Sequence, residues 1–156
     1  MIKLLKNKKG VTMVELMAGL MLFTISVSAI GAVLAPMMQV YSRANELAEV
    51  STLLDGAANH LISDLASATA PPQWGGDTVT IEINNTAAVY TVDTQGVLRK
   101  NGSPVLPGSY YRRHTVSFGG ANAEPGLSEL TVTITNTRSG VAVSREYAVR
   151  PLMLND

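Results

Sequence analysis

The sequence predicts an α+β fold in which a long N-terminal helix, membrane-spanning in its first half and amphipathic in its second, packs on an antiparallel β-sheet. Three observations predict it. The residues from Leu16 to Ser42 carry no charged side chain, and about 20 apolar residues in a helix suffice to cross a bilayer core of roughly 30 Å. Downstream, Leu47, Val50, Leu54, Ala57, Leu61, Leu65 and Ala68 recur three or four apart, which is one face of an amphipathic helix. Beyond Pro71-Pro72 the apolar pattern changes to period two in six short runs with no helix between them.

Taken in order, the first element is a basic leader. The chain has 156 residues with 12 basic and 12 acidic side chains, a balance that gives no reason to expect nucleic acid as the main partner. The average conceals segregation: Lys3, Lys6, Lys8 and Lys9 crowd the start, and apart from Glu15 no further charge appears before Arg43. Lysines before an apolar run place the N-terminus in the cytoplasm and everything from about Ser42 outside, by the positive-inside rule. The expected location is a bacterial cytoplasmic membrane crossed once. Glu15 stands at the head of the run, where a carboxylate costs on the order of 2.5 to 3.5 kcal/mol at mid-bilayer and less towards the interface. An intramembrane acid is therefore a functional hypothesis whose partner has to be named.

Within the helix, Pro36 removes an N–H and crowds the carbonyl of Ala32, and Gly31 lowers helix propensity, so a kink is expected over Gly31 to Pro36. The amphipathic stretch Leu47 to Ala68 sets Glu46, Glu49, Asp55, Asn59, Ser63 and Ser67 opposite its apolar face. Pro71-Pro72 ends it, and Trp74-Gly75-Gly76-Asp77 reads as a loop. Strands are expected at Thr78–Asn84, Ala88–Asp93, Val97–Lys100, Thr115–Phe118, Glu129–Thr135 and Val141–Val149. Turns are read at Asn85-Thr86, Thr94–Gly96, Asn101-Gly102 and Asn136–Gly140, and Gly119 to Gly126 is read as a Gly/Pro-rich loop. An antiparallel sheet needs one covered face, and the amphipathic helix is the only cover the sequence offers. The organisation expected is residues 1–10 leader, 11–42 spanning half, 43–70 amphipathic half and 71–156 extracytoplasmic β domain.

Little in the chain suggests catalysis. There is no cysteine, which excludes disulfides, thiolate nucleophiles and cysteine-ligated zinc or iron–sulfur clusters. His60 and His114 have no second ligand at metal spacing, and no Walker loop, G-x-S-x-G or paired-carboxylate arrangement is present. No enzyme activity, cofactor, metal or small-molecule substrate is expected. Tyr110-Tyr111-Arg112-Arg113-His114 mixes aromatics with cations, the kind of surface that holds single-stranded DNA by stacking and phosphate contacts. A strand edge with solvated arginines is the simpler reading, favoured because the exported part is acidic overall.

Lys8-Lys9-Gly10 followed by Val11-Thr12-Met13-Val14-Glu15-Leu16 and an apolar helix resembles the class III signal of type IV prepilins and pseudopilins. The shared features are a short basic leader ending in Gly, a cut just outside the apolar run, and a Glu five residues past the cut. The resemblance implies recognition of Lys8, Lys9, Gly10 and Val11 by a prepilin peptidase and cleavage between Gly10 and Val11. It further implies N-methylation of Val11, where the family usually has Phe or Met. Cleavage would remove four lysines, leaving eight basic and twelve acidic residues. It would also create an ammonium about one helical turn from Glu15. In a filament the resemblance implies that Glu15 meets the Val11 amine of a neighbour and registers subunits. His60–Ala68 and Tyr90–Gly102 are similar to stretches of J-type pseudopilins and minor pilins.

The implied protein is a pilin-like structural subunit. Its partners would be the peptidase, an inner-membrane assembly platform, other pilin or pseudopilin subunits and membrane lipid, with nucleic acid left open. A signal-anchored extracytoplasmic binding module that is never cleaved, with Glu15 snorkelling to the interface, is the rival reading.

Overall fold

The computed structural model describes residues 12–124 and 126–151. The chain divides after Arg43 into two units. A single helix, α1 (Met13–Ala66), starts in the first and ends in the second.

In the first unit every described residue from Thr12 to Arg43 is exposed, including large apolar side chains such as Phe23 at 65% and Met38 at 73%. The hydroxyls in this apolar stretch are satisfied within the helix: Thr24 donates to the Met21 carbonyl, Ser26 to Leu22 and Ser28 to Thr24, each at 2.8 Å. Such back-bonding removes the penalty a bare hydroxyl would incur in hydrocarbon. The helix is unbroken through Gly31 and Pro36, and the ring nitrogen of Pro36 has no proton to give the Ala32 carbonyl.

The second unit is the α+β part. Its share of α1 buries Val50, Leu53, Leu54, Ala57, Ala58, Leu61 and Leu65. This stripe is broader than the sequence spacing suggested, because Leu53 and Ala58 join it, and Leu47 lies outside it at 46% exposure. The helix stops at Ala66 instead of running to Ala68. The Ser67 N–H is shared between the Ser63 and Asp64 carbonyls, and the Thr69 N–H leaves the helix for the Glu82 carbonyl at 2.8 Å. The sheet captures the chain before the prolines are reached.

Among the described residues eight strands follow where six were expected. β1 (Gln73–Gly75), β2 (Thr78–Ile83), β3 (Thr86–Val92), β4 (Leu98–Lys100) and β5 (Ser103–Pro104) form one antiparallel sheet in sequential order. β6 (His114–Glu124), β7 (Leu127–Asn136) and β8 (Ala142–Val149) form a second. No local pattern in the sequence marks this division into two sheets. A short 3-10 helix (Tyr110–Arg112) leads into β6, and the Val116 N–H donates to the Gly96 carbonyl at 2.8 Å to tie the sheets. Gly96 has φ +74°, and a Cβ there would sit 2.5 Å from Thr115 Cβ, so only glycine fits this crossing.

Inward side chains alternate as a half-buried sheet requires: Val79 and Ile81, Ala88 and Tyr90, Val116 and Phe118, Leu130, Val132 and Ile134. With α1 they make one core shared by both sheets. The β2–β3 turn is Asn84-Asn85, both at positive φ, one residue earlier than the sequence suggested. The pair belongs to the two-residue hairpin class that favours asparagine.

Two loops of the sequence reading became strand for one reason. Trp74 in β1 lies over β6, and a Cβ on Gly120 would come within 2.4 Å of its ring. Glycine in a strand marks such a close approach. Gly119-Gly120 thus continues the ladder to Glu124, with a register shift between Asn122 and Glu124.

Candidate functional site

At the start of α1, Thr12 Oγ1 accepts the Glu15 N–H at 3.3 Å. Thr12 is thus the N-cap and Glu15 the third helical residue, the spacing of a capping box. The motif T-x-x-E was present in the sequence and gives Thr12 a role that the reading had missed. No described residue forms an ion pair with the Glu15 carboxylate. Glu15 is therefore an exposed acid in the first turn of an apolar helix, where the positive end of the helix dipole favours it. Lys8, Lys9, Gly10 and Val11 lie outside the described residues. From Met13 onward α1 is long and apolar enough to cross a membrane, and it is the one such helix among the described residues.

The Tyr110–His114 segment is a 3-10 turn that leads into β6, an edge strand of its sheet, and its side chains part company. Tyr110 is 40% exposed, and Arg112 and Arg113 are exposed. Tyr111 is turned inward: its hydroxyl donates to the Leu98 carbonyl at 3.1 Å and accepts the Leu106 N–H at 3.3 Å. Burial raises its pKa. His114 is buried, at 3% exposure; its Nδ1 donates to the Tyr110 carbonyl at 3.1 Å, while Nε2 has no partner among the described residues. A stacking surface built from this segment therefore has one exposed ring, Tyr110. The fold adds a residue that the sequence reading left out: the Thr137 N–H donates to the Arg113 carbonyl at 2.8 Å, which brings exposed Arg138 beside Arg112 and Arg113.

A second polar cluster joins helix to sheet. Tyr90 is fully buried and donates to Asp64 Oδ2 at 2.8 Å, with the His60 carbonyl at 3.2 Å. Lys100 Nζ lies 2.6 Å from the same carboxylate and 5.6 Å from the Tyr90 ring centre. Burial first, and the adjacent Asp64 carboxylate second, raise the Tyr90 pKa strongly. Opposite-charge geometry and a satisfied hydroxyl make the cluster a clamp. On the other side of the unit, Arg145 of β8 bonds Asp55 and Ser51 of α1.

Asp93 organises the β3–β4 turn. One carboxylate oxygen accepts the Gln95 and Val97 N–H groups, and the other accepts Arg99 Nε at 3.1 Å. These donors, the Val97 N–H foremost, lower its pKa. A cleft of about 320 Å³ beside Pro71 and Pro72 is lined by Asn122, Leu127, Ser128 and Pro151. Its central polar group, Asn122, is already engaged by Pro72, Trp74 and Ser128. Among the described residues no group of three or more His, Asp or Glu side chains could hold a metal. Comparison with family models, curated proteins and solved structures finds no match to this chain.

Proposed function

We propose that the chain is a structural subunit of a type IV pilus or of a related type II secretion or competence pseudopilus, in the role of a minor, initiating or tip pilin. One observation carries the reading: the string Lys8-Lys9-Gly10-Val11-Thr12-Met13-Val14-Glu15 leads into an apolar helix whose first turn holds an acid with no ion-pair partner among the described residues. Cleavage after Gly10 would supply a cation for Glu15 as the Val11 amine. An ion pair in low dielectric contributes register more than stability, since desolvation offsets most of the Coulomb gain. In this scheme the helix serves twice, as a bilayer anchor before assembly and as fibre core afterwards, when protein contacts replace lipid. Gly19, Ser26, Ser28 and Gly31 permit close helix approach. The α+β unit then forms the outward surface.

A second reading, an uncleaved membrane-anchored binding module, draws support from the exposed arginines at Arg112 and Arg113. Processing separates the two. The N-terminal sequence and mass of the membrane-extracted chain are compared between cells with and without prepilin peptidase. The pilin reading expects a chain beginning at Val11 only where the peptidase is present, with an added methyl mass. Retention of Met1 to Gly10 in both strains would reject it and leave the binding module.

A further inference from the structure

We infer that the cationic end formed by Arg112, Arg113 and Arg138 docks the second unit on the anionic phospholipid headgroups of the membrane its own chain crosses. All three are exposed, and none is in an ion pair among the described residues, whereas Arg99, Lys100 and Arg145 each have an acidic partner. They come from two places far apart in sequence, joined by the Thr137-to-Arg113 backbone bond.

The hydrogen bonds within the unit show which end this is. Asn122, at the Ser128 level of sheet β6–β8, bonds Pro72, just past the end of α1. Arg145, opposite Val132 and level with Phe118, reaches Ser51 and Asp55, about two to three turns of helix after Ala44. Movement along the sheet from Asn122 towards His114 therefore follows α1 backwards. The step from the Phe118–Val132 pair to the His114–Asn136 pair is four residues, about 13 Å at roughly 3.3 Å per residue. The same direction along α1 runs from Ser51 and Asp55 back towards Ala44. The chain enters the unit at Ala44, so the arginines lie towards the entry end of the unit's share of α1.

The charge distribution agrees. Glu46 and Glu49 of α1 share this end and leave the three arginines in excess, while the opposite end of the same sheet carries Glu124 and Glu129 against Arg150. Arginines held within a Debye length of an anionic surface are attracted to it, and those farther off are screened. Sequence-local orientation signals are unaffected, because the arginines lie far along the chain from the span. The inference rests on the single-pass membrane reading and is independent of whether the leader is cut.

The test uses the full chain in vesicles, with a single cysteine at Ser139 or, as control, at Ala121, each carrying a fluorophore. Quenching by headgroup-attached nitroxide lipid reports proximity to the surface. In vesicles containing phosphatidylglycerol the probe at Ser139 is expected to be quenched several-fold more than in pure phosphatidylcholine. High salt, or the combined Arg112→Gln, Arg113→Gln and Arg138→Gln variant, should abolish the difference, and the probe at Ala121 should respond in no condition. Trp74 emission confirms that the variant is folded. Equal quenching in the two vesicle types, or undiminished quenching in the triple variant, would overturn the proposal. So would arginine-dependent binding of a single-stranded oligonucleotide without lipid-dependent quenching, which would assign the surface to nucleic acid.

Discussion

The two units solve opposite problems with the same helix. From Met13 to Arg43 the side chains of α1 are exposed and mostly apolar, so this stretch has no interior of its own and is completed by whatever surrounds it. From Val50 to Leu65 the helix buries seven side chains against two sheets. Its exposed face there is polar, with Asp55 and Asp64 anchored to Arg145 and Lys100. A residue in the first unit is constrained by its environment outside the chain, and one in the second by its neighbours within it. Substitutions of equal chemistry should therefore have unequal effects, and on different observables.

The sharpest break concerns Glu15. Glu15→Val removes the acid from the apolar helix and lowers the cost of residing in the bilayer, by on the order of 2.5 kcal/mol or less this close to the interface. Membrane insertion is expected to be unchanged or improved, while under the pilin proposal recovery of the chain in sheared filaments falls to background. Normal filament incorporation of Glu15→Val would end the registration role. Next comes a matched pair. Leu54→Ala, at a fully buried site, should cost about 2 to 5 kcal/mol in unfolding of the second unit. Leu22→Ala, at a site 67% exposed, should leave that unfolding unchanged. The single tryptophan, Trp74, packs at the junction of the sheets and reports the transition in both cases. Equal losses for the two variants would mean that the first unit also contributes to the stability of the second.

How far the sequence could be read follows the same division. The α+β class, the apolar stretch and the amphipathic stretch were legible because each is a periodicity or a length, and both are local. The division into two sheets was not, since it depends on one crossing at Gly96 and Thr115 that no local pattern encodes. Gly119-Gly120 read as a loop because their value lies in the Trp74 ring, 46 positions away from Gly120. Leu47 has the right spacing for the buried face but lies outside the buried stripe, which begins at Val50. Arg138 could join Arg112 and Arg113 only through the β6–β7 pairing, whereas Thr12 was open to view as half of a T-x-x-E box.

The clamp at Tyr90 sharpens the comparison by a smaller amount. Tyr90→Phe keeps the ring in the core and removes the hydroxyl that bonds Asp64, while Lys100 still satisfies the carboxylate. A loss of about 1 kcal/mol is expected. The pH dependence is more specific. The folded pKa of Tyr90 is raised, so its contribution is fully present below the unfolded value, about 10, and is lost as pH rises towards the folded one. Stability of the second unit should decline above that pH in the parent chain and decline less in Tyr90→Phe. Parallel declines in equilibrium unfolding would show that the hydroxyl is not held as described.

Asp93 gives the smallest effect and the opposite limb. Its folded pKa is depressed, chiefly by the Val97 N–H, then by the Gln95 N–H and Arg99. Its stabilisation is therefore present above the ordinary carboxylate value, about 3.9, and is lost as pH falls through the lowered folded value. Because the group is open to solvent, most of the Arg99 attraction is screened and the backbone bonds carry the turn. Asp93→Asn keeps an oxygen that can accept one or both N–H groups but carries no charge. The expected outcome is a slight loss of stability at neutral pH and a flatter profile at acid pH, with salt sensitivity reduced as well. If Asp93→Asn instead lowered neutral-pH stability as much as Leu54→Ala, the turn would be anchored by its charge and not by its geometry. The β3–β4 connection would then belong with the buried contacts of the core instead of with the solvated surface of the second unit.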